Sequence, residues 1–202
     1  MALKSIPVDY AYVHLLKGEQ SSPEHVTLNP SGTVPVFTHL VDNGPSFPIG
    51  QSIAALEYIE EIFPDKAPLL PPRYSPLERA KVRSLVNIIA CDTQPITNRH
   101  VMLAVGALGG SPDEWSKKYM TRGLGAYEQV SSKTAGQYSV GDNVTLADVC
   151  LVPAVWGAER YGVELDKLPT VMKVYGAMME LEAVKKAHWK VQRDTPSDLA
   201  WL

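Results

Sequence analysis

Apolar and polar positions follow two different periodicities along the chain, and the first third of the chain mixes them. The stretch "VDYAYVHLL" alternates tyrosine and histidine with alanine, valine and leucine, which predicts a strand from Val8 to Leu15. The β-branched run "GTVPVFTHL" predicts another strand, and the Asn43-Gly44 pair after it is typical of a hairpin turn. In "QSIAALEYIEEIF" the apolar residues fall at near-helical spacing, which predicts an amphipathic helix entered through Ser52.

Helical spacing dominates the remaining two thirds of the chain. Val82, Leu85, Val86 and Ile89 recur at i, i+3, i+4 and i+7. Three later segments, "DEWSKKYMTRGLGAYEQV", "LADVCLVPAVWGAERYG" and "TVMKVYGAMMELEAVKKA", each carry an apolar stripe beside charged residues. These segments predict a bundle of amphipathic helices.

A proline-rich stretch separates the two patterns. The segment "PDKAPLLPPRYSP" contains five prolines, a density that the interior of neither a helix nor a strand tolerates. We therefore predict a fold of class α/β plus all-α, with an α/β domain over residues 1–66, a linker over 67–74 and an all-helical domain over 75–202.

Composition narrows the class of protein without naming a function. The chain is 45% apolar and 20% charged, as in ordinary globular proteins, and its net charge of -3 gives no reason to expect nucleic acid or an anionic membrane as a partner. Cys91 and Cys150 are isolated in apolar, helix-like runs, so we expect buried structural thiols and a reducing compartment. No apolar run is long enough to cross a bilayer, which leads us to expect a soluble, cytoplasmic protein.

Pro35 lies inside an apolar β-run, where a proline removes a ladder hydrogen bond. One explanation is an ordinary proline on an edge strand, which frequencies favour because cis X-Pro bonds are rare. The other is a cis Val34-Pro35 bond that turns the chain and leaves the Val34 main chain free to bind an extended peptide.

Two predicted helix starts contain polar residues that could bind a ligand or cap the helix. Ser52 at a helix start leaves backbone N–H groups pointing outward, where a ligand carboxylate could bind together with the Gln51 amide; a plain helix cap is the commoner explanation. Thr145 and Asp148 have the spacing of a capping box, to which we assign a structural role.

Pro95 interrupts a helical pattern, which predicts a kink. Gln94, Asn98, Arg99 and His100 cluster at this kink, and their polar face could line a cleft or equally face solvent.

Arg160 ends an apolar helix face in "GAERYG". Its guanidinium could hold a substrate carboxylate, although a salt bridge with Glu159 or Asp166 is favoured by spacing alone.

In this order, the motifs "NPSGTVPVF", "GQSIAALEYIEE", "GDNVTLADVCLVPAVWGAER" and "QRDTPSDL" resemble those of a cytosolic glutathione transferase. The zeta class, which includes maleylacetoacetate isomerase, is the most similar, and the resemblance runs from about residue 3 to the C-terminus. It implies a thioredoxin-like domain, a helical substrate domain, a homodimer, glutathione as cofactor and a small acidic substrate such as maleylacetoacetate.

The resemblance also implies roles for individual residues. Val34 beside the cis-proline should bind the cysteinyl backbone of glutathione, Gln51 and Ser52 its γ-glutamyl end, and Gln20 its glycyl end. The residues implied to line the cleft, some reached from the partner subunit, are Gln94, Asn98, Arg99 and His100. Arg160 matches an arginine that holds a substrate carboxylate.

In the family, a first strand and a helix with a Ser-Ser-Cys-x-x-Arg stretch precede the segment that matches "ALKSIPVDY". On this resemblance we expect the chain to lack the hydroxyl that activates the glutathione thiol, and therefore to be impaired as an isomerase or as a transferase acting on α-haloacids. A non-catalytic binding or dimerisation protein on the same scaffold is the alternative.

Overall fold

The structure is a computed structural model, and it describes residues 1–41, 44 and 46–199. The chain forms two compact units. One comprises Met1–Ala67 and the segment that begins at Trp189, and the other is Pro68–His188. The predicted limits of the helical domain, 75–202, differ from this division at both ends.

The first unit contains a two-stranded antiparallel sheet. Strand β1 (Val36–His39) pairs with β2 (Phe47–Gly50), and Val36 lies opposite Gly50. This pairing confirms the strand predicted from "GTVPVFTHL" and its hairpin partner. Of the predicted Asn43-Gly44 turn, Asn43 lies outside the described residues.

Helices α1 (Pro23–Leu28) and α2 (Ser52–Ile62) complete the regular structure of this unit. Tyr58 of α2 joins the helix to β1, because its hydroxyl lies 2.9 Å from Nδ1 of His39 and its ring centroid lies 6.2 Å from that of Phe37. The predicted amphipathic helix is therefore confirmed.

The strand predicted from Val8 to Leu15 is wrong. The chain has no regular structure there until a 3₁₀ turn begins at Leu15, although the alternation persists and stacks the rings of Tyr10 and Tyr12, with centroids 6.3 Å apart. Alternation indicates which side chains share a face, but a strand also needs a neighbouring backbone. Within the described residues, the only strands, β1 and β2, pair with each other.

Lys4 is a buried lysine that secures the end of α2. Its ammonium group lies 2.5 Å from a carboxylate oxygen of Glu60, and it donates hydrogen bonds to the carbonyls of Phe63, Lys66 and Ala67 at 3.2, 2.8 and 3.2 Å. Phe63 is the C-cap of α2, where carbonyls lack intrahelical donors and a cation is favoured, while Lys66 and Ala67 lie in the segment beyond the helix. Lys4 thus stabilises the junction between α2 and the proline-rich segment.

The second unit is entirely helical, as the sequence predicts. The bounds of its α-helices are α3 Pro76–Asn87, α4 Arg99–Ala107, α5 Pro112–Ser131, α6 Leu146–Arg160, α7 Pro169–Met179 and α8 Glu182–Ala187. The predicted stripe of Val82, Leu85, Val86 and Ile89 is buried, with at most 3% of each residue exposed. No helix in the described part of the chain is both long and apolar enough to span a membrane.

The kink predicted at Pro95 is confirmed. Helix α3 ends at Asn87 and continues as a π-helical turn, Ile88–Thr93, and then as a 3₁₀ turn that begins at Pro95. The amide of Gln94 donates to the carbonyl of Ile89 at 2.9 Å, five residues back, while Pro95 has no N–H to donate. The bend separates α3 from α4.

Gly123 of α5 allows the π-helical turn to approach closely. A Cβ atom at this position would lie 1.9 Å from Oγ1 of Thr93 and 2.7 Å from its Cγ2. Both residues are buried, so neither an added methyl at Gly123 nor the side chain of Thr93 could move into solvent. Since Thr93 Oγ1 already donates to the carbonyl of Ile88 at 2.7 Å, its rotamer is held as well.

The capping box at the start of α6 is also confirmed. The Asp148 carboxylate accepts hydrogen bonds from the amide and hydroxyl of Thr145 at 2.7 and 2.9 Å. It accepts a further bond from the amide of Ser139 at 2.8 Å. Asp148 is fully buried, so these three bonds replace its contacts with water and join the preceding loop to the helix.

We expect Gly123→Ala to lower the free energy of unfolding by about 1–3 kcal/mol, since the added methyl overlaps a packed side chain. Gly125→Ala, on the same helix, is the matched control, because a Cβ there would meet no side chain and no neighbouring element within 4 Å. It should be neutral or stabilising by up to about 1 kcal/mol. Urea unfolding followed by circular dichroism measures both variants. Equal stability of the two variants would contradict the close approach.

Candidate functional site

The first group of candidate residues follows a loop that Asn29 organises. Asn29 is 5% exposed, and its Nδ2 donates to the carbonyl and hydroxyl oxygens of Thr33 at 2.8 and 3.1 Å, while its Oδ1 accepts from the amide of Ser31 at 3.2 Å. His25 Nε2 also lies 2.9 Å from the Thr33 carbonyl. Gly32 takes a left-handed conformation, with φ of 59°, inside this turn. The loop leading to Val34 is therefore fixed by buried polar groups.

The Val34-Pro35 peptide bond is cis, so the edge-strand alternative is wrong. Val34 is 41% exposed and precedes β1, which begins at Val36. Among the described residues, no hydrogen bond is formed by the Val34 amide or carbonyl. The main chain of Val34 is therefore open to a ligand.

Helix α2 begins one residue earlier than predicted, because Gln51 and not Ser52 is its N-cap. Gln51 has φ of 68° and ψ of 114°, a region that residues other than glycine rarely adopt and that is found at ligand sites. Ser52 is therefore the first helical residue.

The first turn of α2 is open to solvent. No side chain in the described residues caps it, and Gln51 and Ser52 are both exposed. The first amide with a backbone partner is that of Ala55, which donates to the Gln51 carbonyl at 3.1 Å. The preceding amides and the positive end of the helix dipole can therefore bind a carboxylate.

Gln20 lies in a 3₁₀ turn, Glu19–Ser21, near the loop that Asn29 holds. A Cβ atom on Gly32 would lie 3.5 Å from the Gln20 carbonyl oxygen. The side-chain Oε1 of Gln20 is buried and has no hydrogen-bond partner among the described groups. A buried acceptor without a donor is costly, which favours a donor from a ligand or from water at this point.

The second group of candidate residues belongs to the helical unit, where a cavity of about 240 Å³ lies between the bent helix, α5 and α6. Its lining comprises Ile89, Thr93, Gln94, Thr97, Asn98, Met120, Leu124, Cys150, Pro153, Ala154 and Gly157. Gln94 and Asn98 thus line a cavity, and Gln94 is at the same time exposed to solvent. Arg99 and His100 are exposed in the first turn of α4 and are not part of the lining.

Arg160, the last residue of α6, is exposed and has no ion pair within the described part of the chain. The salt bridge with Glu159 or Asp166, which spacing favours, is therefore absent. The guanidinium carbon lies 5.8 Å from the ring centroid of Tyr161, whose hydroxyl donates to the sulfur of Met102 at 3.4 Å. Its charge remains available for an anionic ligand.

The two cysteines differ in exposure, and the prediction that both are buried is wrong for Cys91. Cys91 is exposed in the π-helical turn, and it follows the buried Ile89 by two positions, about 200° around a helix, which is the side opposite the apolar stripe. Cys150 lines the cavity, and burial, followed by the negative charge of Asp148, raises the pKa of its thiol to about 12. Cys150 is therefore a neutral thiol at physiological pH.

Sequence reasoning did not identify several residues that shape these sites. Asn29 precedes a proline and a nearby glycine, a signal for a turn held by an asparagine side chain that could have been used. Met120 and Gly157 belong to helical stripes that predict burial, and nothing in the spacing indicates that they face a cavity.

Comparison with known proteins reveals two matching family models. Residues 1–61 match the N-terminal domain of glutathione S-transferases, and residues 110–188 match their C-terminal domain. Maleylacetoacetate isomerase of Aspergillus fumigatus is 52% identical over 97% of this chain and 85% of that protein. The chain belongs to the maleylacetoacetate isomerase, or zeta-class, family of glutathione S-transferases.

Solved structures of zeta-class relatives have the same fold. A bacterial maleyl pyruvate isomerase of the zeta class superposes with a TM-score of 0.86 at 35% identity, over 96% of this chain and 91% of the other. Maleylacetoacetate isomerase of Anaeromyxobacter dehalogenans, solved with glutathione in its active site, gives a TM-score of 0.86 at 37% identity, over 96% and 89%. The zeta-class fold, a thioredoxin-like domain followed by a helical domain, is thereby confirmed.

We expect iodoacetamide at pH 8 to alkylate Cys91 but not Cys150. The thiolate is the reactive form, and with a pKa of about 12 only roughly one Cys150 in ten thousand is ionised at that pH. Since the pKa of an unfolded thiol is near its ordinary value of 9.0, the stability that the folded unit gains from the neutral form is lost as the pH rises from 9 towards 12. Peptide mass spectrometry, with Cys91→Ser as control, identifies the modified residue. Comparable alkylation rates at the two cysteines would refute this assignment.

Proposed function

We propose that this protein is a glutathione-dependent cis-trans isomerase that converts maleylacetoacetate to fumarylacetoacetate. The observation that carries the proposal is the pair of open main-chain groups at one end of the hairpin. Val36 of β1 lies opposite Gly50 of β2, so the segment before β1 and the start of α2 meet at the same end of the sheet. An extended peptide with a free carboxylate fits this arrangement, and glutathione is such a peptide.

Three groups at this end of the hairpin bind different parts of the tripeptide. The first turn of α2, with Ser52 and Gln51, holds the γ-glutamyl carboxylate through charge-assisted hydrogen bonds. The amide and carbonyl of Val34 pair with the cysteinyl main chain, and Gln20 accepts a hydrogen bond near the glycyl end. Glutathione, when bound, supplies the thiolate that adds to the cis double bond of the substrate.

The helical unit supplies the groups for the substrate. The guanidinium of Arg160 binds a carboxylate in bidentate fashion. The side-chain amides of Gln94 and Asn98 can donate hydrogen bonds to a carbonyl oxygen on which negative charge develops. We also propose that Arg99 and His100 contribute to glutathione binding as part of a cytoplasmic homodimer, in agreement with their exposure at the start of α4.

Relatives of this chain that bear the name maleylacetoacetate isomerase, and a bound glutathione in one of them, support the proposal. The impairment expected from the sequence stays a prediction. The two experiments that follow separate loss of glutathione binding from loss of isomerisation.

We expect Ser52→Ala to weaken glutathione binding about tenfold, because a hydrogen bond to a charged group contributes about 1.5 kcal/mol or more. Isothermal titration calorimetry with glutathione measures the change. Ser84→Ala is the control, since Ser84 is an exposed serine on α3, and it should bind as the unmodified chain does. Unchanged affinity in Ser52→Ala, or no binding by any form, would exclude the proposed orientation of the tripeptide.

We expect Arg160→Ala to lower kcat/KM for maleylacetoacetate about hundredfold, chiefly through a higher KM, because a carboxylate loses its bidentate partner at a cost of about 2–3 kcal/mol. Arg73→Ala removes an equally exposed guanidinium from the proline-rich segment and is the control. The decay of substrate absorbance in the presence of glutathione measures the rate. Glutathione binding without isomerisation in any form would favour a non-catalytic binding protein.

A further inference from the structure

The cavity and Arg160 share one face of α6. Pro153, Gly157 and Arg160 are spaced at i, i+4 and i+7, which brings them to the same side of the helix. The first two line the cavity, and with a rise of 1.5 Å per residue Arg160 follows Gly157 by about 4.5 Å along the axis. A carboxylate bound to the guanidinium therefore lies beyond one end of the α6 face that lines the cavity.

The walls of the cavity suit an unbranched chain that carries oxo groups. The buried part of the lining includes the apolar Leu124 and Ile89, 0% and 3% exposed, and Thr93 and Thr97, whose hydroxyls already donate to main-chain carbonyls. The Cys150 thiol, which also lines the cavity, stays protonated. Gln94, which is exposed, and Asn98 bring amide donors to one wall. Because a thiolate would itself add to an electrophilic double bond, a neutral Cys150 leaves such a chain unmodified.

Gly157 is a position in the lining at which a side chain would take space from this cavity. Its backbone has an ordinary helical conformation, so the position does not require glycine, and glycine inside a helix is about 1 kcal/mol less favourable than alanine. A Cβ atom there would lie 3.3 Å from the terminal methyl of Met120, which also lines the cavity. Any side chain at this position would push Met120 or occupy the space itself.

We propose that Gly157 and Met120 together select the length of the carbon chain that the cavity accepts beside a carboxylate bound to Arg160. This inference rests on the proposed function and adds to it a specificity determinant for dicarboxylic oxo acids. The glycine keeps room for a longer chain, and the flexible thioether of Met120 closes around a shorter one.

The test compares two substrates that differ by one methylene, maleylacetoacetate and the shorter maleylpyruvate. We expect Gly157→Ala to lower kcat/KM for the longer substrate about tenfold and for the shorter one by less than about threefold, because one methylene in an apolar pocket contributes about that much discrimination. Met120→Ala in the Gly157→Ala background should restore the longer substrate. Gly176→Ala, on α7 with no atom within 4 Å of the added Cβ, should change neither.

Equal losses for both substrates in Gly157→Ala, or no recovery in the double variant, would overturn the inference while leaving the proposed function intact. Thermal unfolding of each variant checks that it is folded. If no form isomerises either substrate, the proposed function fails, and binding of glutarate, adipate and pimelate measured by NMR decides the inference alone. A preference that shifts towards shorter dicarboxylates in Gly157→Ala supports it, and an unchanged preference refutes it.

Discussion

The helical unit depends on the close approach of α5 to the π-helical turn. Gly123 has no side chain, so Thr93 can pack directly against the α5 backbone, and the turn between α3 and α4 can bend towards it. With a straight helix, Gln94 and Asn98 would continue the solvent-facing side of α3. The bend instead places them on the wall of a cavity whose other walls are Met120 and Gly157. The absence of a side chain at Gly123 thus permits the bend that brings Gln94 and Asn98 to the cavity.

The first unit relies on polar groups in loops more than on a large core. Asn29 satisfies three main-chain or hydroxyl partners in the turn before Val34, and Lys4 satisfies carbonyls beyond the end of α2. These bonds fix both ends of the segment that includes the hairpin and α2. The groups left without partners, at Val34 and in the first turn of α2, are those that a peptide ligand would use. Some main-chain donors and acceptors of this unit therefore stabilise the fold, and others nearby are available to a ligand.

Much of the architecture could be predicted from the sequence, because local signals agree with the fold. The stripe that includes Leu85, the kink at Pro95 and the Thr145–Asp148 box each depend on residues close together in the chain, and all are present. The strand from Val8 fails for the opposite reason, since alternation does not reveal whether a second backbone lies within hydrogen-bonding distance. The prediction that Cys91 is buried fails because apolar neighbours in the sequence do not place it on the apolar face, which its position two residues after Ile89 excludes.

The candidate sites were predictable only in part. Motif resemblance led to Val34, Gln51, Ser52 and Arg160, but the shift of the N-cap to Gln51 depends on a backbone conformation that glutamine rarely adopts. Gly157 and Met120 could not be found at all, because they lie 37 residues apart and only the packing of α5 against α6 brings them together.

Arg160 has a consequence for how quickly an anion reaches the helical unit. The chain carries a net charge of -3, so a dianionic molecule is repelled on average as it approaches. Because the guanidinium forms no ion pair with any residue that the structure describes, it creates a local attraction against that background. Dissolved salt screens both the general repulsion and this local attraction over about 8–10 Å, so ionic strength alters encounter rates at this mouth through two opposing effects.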